Sequence, residues 1–107
     1  MTALGNGLLH LPSDVSIDGN TGEVYGTVNV EGYLECIGAE GVYMPRPMHL
    51  DAGEFELRLV VHPEAHDQLQ TTGRCDAYLR FRFTAIDGTV TIREVHVTFW
   101  ATEELGA

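Results

Sequence analysis

EVYGTVNVEGYLEC, Glu23 to Cys36, decides the fold. Val24, Gly26, Val28, Val30, Gly32, Leu34 and Cys36 fall on one side of this stretch, and Tyr25, Thr27, Asn29, Glu31, Tyr33 and Glu35 on the other. Successive side chains of a strand point to opposite faces, so strict alternation reads as one long half-buried strand. The two glycines on its inner side point to a bend, a bulge or a close crossing.

Working outward, the same period of two recurs. EFELRLVVH turns Phe55, Leu57, Leu59 and Val61 inward and Glu54, Glu56 and Arg58 outward. CDAYLRFRFTAI turns Ala77, Leu79, Phe81 and Phe83 inward and Tyr78, Arg80, Arg82 and Thr84 outward. Asp87-Gly88 is a tight hairpin signal. In the following TVTIREVHVTFW the phase changes: Val90 and Ile92 share one parity, and Val95, Val97 and Phe99 the other. A bulge near Arg93-Glu94 would reconcile them. Val15-Ser16-Ile17 before DGNTG reads as a short strand and turn. Residues 37–53 are loop-rich, with one short strand near Val42-Tyr43. HPEAHDQLQTTG carries Pro63 where a first helical residue belongs and Gly73 as a stop, which predicts a helix over about 63–70.

This order predicts an all-β, mainly antiparallel small barrel, OB-like, with one short helix between the third and fourth main strands. A β-sandwich is the alternative. Residues 15–107 form the single barrel domain, preceded by an N-terminal arm, residues 1–14.

The totals limit what such a domain does. The 107 residues suit one domain, and 44% apolar against 21% charged residues argues against disorder. Sixteen acids face six bases, all arginine, for a net charge of −10. Nine acids and one arginine lie in residues 1–57, and seven acids and five arginines in the remainder. That balance argues against duplex DNA. No apolar run reaches the ~18 residues that span a bilayer, and the first residues lack a signal-peptide pattern. The expectation is a cytoplasmic or intracellular protein, a virion component included, with no membrane partner. Without a secretion signal, Cys36 and Cys75 read as free thiols.

Three constellations carry the functional reading. In HPEAHD, His62 and His66 stand four apart as helical metal ligands can. His62 at the N-cap spoils the geometry and no third ligand is evident, so the expectation is no metal and no cofactor. No nucleophile beside a base is visible, so no catalytic residues are assigned. Tyr25, Tyr33, Arg58, Tyr78, Arg80 and Arg82 all fall on outward parities, where aromatics and arginines can stack bases and grip phosphates. The competing reading pairs Arg80 and Arg82 with Glu54 and Glu56 on a neighbouring strand. In VYMPRPMHL, Arg46 lies between two prolines flanked by Met44 and Met48, a stiff segment suited to contact with another protein. The arm adds Leu4, Leu8, Leu9 and Leu11, which Gly5, Gly7 and Pro12 make a poor strand of its own sheet. The sequence therefore predicts a non-enzymatic binding or assembly module, a homo-oligomer or a partner of another protein, such as a subunit of a viral assembly. The alternative is an OB-type binder of single-stranded nucleic acid through the Tyr/Arg face.

Overall fold

The computed structural model describes residues 8–102. Leu4 of the arm therefore lies outside the described residues. Eight strands and one helix follow in order: β1 (Leu9–His10), β2 (Asp14–Asp18), β3 (Thr21–Val28), β4 (Gly32–Glu40), β5 (Met48–Leu50), β6 (Gly53–Val60), α1 (Pro63–Thr72), β7 (Arg74–Ala85) and β8 (Val90–Trp100). The expected all-β class and the helix before the last two strands are both present.

The strands form two sheets, ordered β1-β3-β6 and β2-β8-β7-β4-β5. Every pair is antiparallel except β2 with β8. One core fills the space between the sheets. Val24, Val28, Phe55, Leu57 and Leu59 come from the three-stranded side, and Leu34, Leu79, Phe81, Phe83, Val97 and Phe99 from the five-stranded side. The sheets also meet at one corner, where Val42 bridges Val61 and the amide N–H groups of Tyr43 and His62 donate to Val60 O and Gly41 O, each at 3.0 Å.

The decisive stretch is not one strand. It breaks between Val28 and Gly32, and the chain passes from one sheet to the other within those residues. Asn29 N–H still donates to Leu8 O beside β1 at 3.0 Å, whereas Glu31 O already accepts from Ile86 N–H beyond β7 at 2.9 Å. The inward parity survives the crossing because both sheets bury the same side of the chain. Gly32 permits the close approach: a Cβ there would lie 2.5 Å from Phe83 Cζ and 2.6 Å from Thr84 O.

Three further expectations need correction. No bulge interrupts β8, whose register with β7 runs unbroken from Arg74↔Trp100 to Thr84↔Val90. Thr91 therefore points inward while Val90 and Ile92 stay outside. The register shift falls instead between Cys36 and Gly38 in β4. The helix runs two residues beyond 70, to Thr72, and Gly73 closes it at φ 81° with its N–H on Leu69 O at 2.9 Å. Finally, the arm does supply a strand to this chain's own sheet: the two-residue β1, which pairs with β3. Leu9 lies in this chain's own core, and Leu8 and Leu11 pack against it.

Candidate protein-contact surface

β4, β7 and β8 are long neighbours, so their outward side chains form continuous cross-strand rows. In the middle of this face the rows are ion pairs. Arg80 Nε lies 3.3 Å from Glu94 Oε2, and Arg82 Nη2 lies 3.0 Å from Glu35 Oε1. The expectation that Arg80 and Arg82 pair with Glu54 and Glu56 is corrected, because β6 belongs to the other sheet. At one end of the face the rows turn apolar. Tyr33, Thr84 and Val90 stand in register, with Ile92 beside them and Ile86 at the hairpin. Tyr33 is 45% exposed, Ile86 73%, Val90 51% and Ile92 41%.

The opposite end carries a polar cluster beside the exposed rings of Tyr78 and Trp100. His96 Nδ1 lies 3.0 Å from Asp14 Oδ1, and Nε2 lies 2.9 Å from Asp76 Oδ1. Asp76 also accepts from Arg74 and Thr98, and Tyr78 stacks on the imidazole at 4.8 Å. Asp76, then Asp14, raises the pKa of His96 by hydrogen bonding, and His96, then Arg74, holds Asp76 below the usual carboxylate range. Both ring nitrogens are therefore engaged by carboxylates of neighbouring strands. Burial pushes the thiols of Cys36 and Cys75 up, which leaves them protonated and unreactive.

The structure separates the residues proposed for nucleic acid. Tyr33, Tyr78, Arg80 and Arg82 lie on the outer face of the five-stranded sheet, whereas Tyr25 and Arg58 lie on that of the three-stranded sheet. His62 caps the helix, its Nδ1 accepting from Glu64 N–H at 3.3 Å, and it forms no metal-binding group with His66 among the described residues. Glu31, His49 and Asp51 do come within 4.8 Å of one another, all exposed, with Glu31 and His49 already joined at 2.7 Å. Of the proline segment, Met44 and Arg46 are exposed and Met48 packs against the core.

The sequence reading missed Ile86, Val90 and Ile92 as surface residues. Their signal was the phase change in TVTIREVHVTFW, which marks apolar residues on the outward parity of an unbroken strand. Nothing in the sequence brought Asp14, Asp76 and His96 together, because the parallel β2–β8 pairing joins residues 82 apart.

The fold is similar to that of several solved chaperone structures. The periplasmic chaperone SfaE superposes with a TM-score of 0.63 at 11% identity, over 88% of this chain and 58% of its own. The YadV chaperone gives 0.65 at 7%, over 87% and 51%. The E. coli chaperone DraB gives 0.60 at 9%, over 87% and 55%. The chain thus spans just over half the length of these proteins, and the likeness is one of fold. No protein-family model and no curated protein matches the sequence. This comparison corrects the cytoplasmic, intracellular or virion expectation, since the fold is shared with a chaperone of the periplasm.

Proposed function

We propose that this domain is a non-enzymatic protein-binding module acting in a periplasmic or secreted setting, and that it is the sandwich rather than the OB-like barrel. The exposed cluster of Tyr33, Ile86, Val90 and Ile92 carries the reading. Apolar side chains gathered on one end of a sheet, rimmed by ion pairs, are the pattern of a contact surface. The chaperone likeness supports a protein partner and an exported location. The engagement of both His96 ring nitrogens by Asp14 and Asp76, and the raised pKa of the two thiols, favour a module without catalysis.

Cell fractionation of the source organism tests the location, and recovery of the protein in the cytoplasmic fraction contradicts it. Val90→Glu tests the surface. It should change stability by no more than about 0.5 kcal/mol, since it touches no core atom. It should weaken the native protein complex about tenfold or more, equivalent to ~1.4 kcal/mol. Unchanged affinity in the folded variant would remove this cluster from the interface.

A further inference from the structure

The four sheet edges differ. β1 has two residues, β5 has three and β2 has five, but β6 offers eight. Long open edges invite another strand. Pro45 and Pro47 explain why the chain's own loop does not cover this one. Tyr43 N–H bonds to Val60 O, with Val42 opposite Val61, so the loop starts along the outer edge of β6 in antiparallel register. Continued, that register would set residue 45 against Arg58 and residue 47 against Glu56. Both are prolines and have no N–H to give. The loop turns off, and among the described residues no strand pairs with the edge below Val60.

Backbone direction alternates along a strand. Val60 O points outward to Tyr43, so Glu54, Glu56 and Arg58 also turn their N–H and C=O groups outward, away from β3. Six backbone groups are therefore aligned for a new ladder.

We propose that a second copy of this chain occupies this edge, with β6 pairing antiparallel to β6 of the partner subunit about a two-fold axis. In the register centred on Glu56, Glu54 faces Arg58 of the partner subunit and Arg58 faces Glu54 of the partner subunit. These two pairs of opposite charge are self-complementary, as an isologous contact requires. Gly53, at φ 133°, bends the chain before Glu54, so the incoming strand leaves before it reaches the place held by Tyr43. Register and bend together favour this pairing over one centred on Leu57, which would drive Glu54 into Tyr43. The net charge of −10 opposes approach at long range, but at ~0.15 M salt screening over ~8 Å leaves the local pairs in control. The surface is distinct from the apolar cluster of the other sheet, so neither proposal depends on the other.

Light scattering over about 10–200 µM at ~0.15 M salt tests it, because a dimer gains mass with concentration. The wild-type chain should rise towards twice its monomer mass. Glu54→Arg and Arg58→Glu should each hold the chain monomeric. The double variant Glu54→Arg/Arg58→Glu should dimerise again, as should an equal mixture of the two single variants. Glu56→Gln, which removes the like charges meeting on the axis, should shift dimerisation to lower concentration. Circular dichroism of each variant establishes that it is folded. A wild-type chain that stays monomeric overturns the proposal, as does a dimer indifferent to the single substitutions. Loss in both single variants without recovery in the double variant overturns it equally.

Discussion

The two outer faces of the domain are built by the same alternation and finished differently. On the three-stranded sheet, Glu23 stands opposite Arg58, Tyr25 opposite Glu56 and Thr27 opposite Glu54, a face dominated by acids. On the five-stranded sheet, Arg80 and Arg82 hold Glu94 and Glu35, and the charges between strands cancel. The apolar residues Val90 and Ile92 lie in water beside them. Acids keep a face hydrated, whereas balanced ion pairs around apolar groups desolvate at lower cost. The difference is why the proposed face-on contact falls on the five-stranded sheet. In the proposed dimer the other sheet acts through its edge, where a backbone ladder is joined by the Glu54–Arg58 pairs.

The largest test strikes the crossing that sends one chain to both faces. Gly32→Ala should destabilise the fold by about 1–3 kcal/mol, because the new methyl meets the Phe83 ring and a backbone oxygen. Gly38→Ala in the same strand, whose nearest neighbour would be Arg80 Cβ at 3.9 Å, should be neutral or stabilising by up to about 1 kcal/mol. Urea unfolding measures both. Equal losses would mean that the tight passage at Gly32 is not what separates the sheets.

A smaller effect sharpens the contrast at the other end of the five-stranded face. His96 there binds edge strand β2 to β7 and β8 through Asp14 and Asp76, and the hydrogen bonds from these two carboxylates raise its pKa. A raised histidine contributes fully below its unfolded value of about 6.5, and the contribution is lost as pH climbs through the folded value. Asp76, held below its usual range, contributes above that range and loses its share as pH falls through the depressed value. The window lies between roughly pH 4 and 6.5. His96→Gln should therefore cost up to about 1 kcal/mol near pH 6 and less near pH 9, given the partial exposure of the group. Thermal unfolding at the two pH values measures it. A deficit that grows with pH would contradict the ion cluster.

Much of this fold is legible in the sequence. Alternation sorts the inward residues of β3, β4, β6 and β7, and Pro63 and Gly73 bracket the helix to within two residues of its end. What alternation cannot carry is which strand lies beside which. A chain that changes sheet between Val28 and Gly32 keeps its parity, so the break leaves no trace in the pattern. The same blindness paired Arg80 with Glu54, whose strands belong to different sheets. The exposed apolar pair was written in the sequence but misread: Val90 and Ile92 on the outward parity looked like a bulge because exposed apolar residues are unexpected on a strand. Pro45 and Pro47 stood out as a stiff segment, and only the register at Val42–Val61 shows that they hold a neighbouring edge open.

The central claim is that the two faces differ in what they meet, and a photo-reactive side chain placed on each in the source organism tests it most directly. Carried at Ile92 on the five-stranded face, it should yield one discrete protein adduct. Carried at Tyr25 on the acidic face, which is at least as exposed, it should yield none with any protein other than a second copy of this chain. Adducts with such a protein in equal yield from both positions, or from Tyr25 alone, would contradict the assignment.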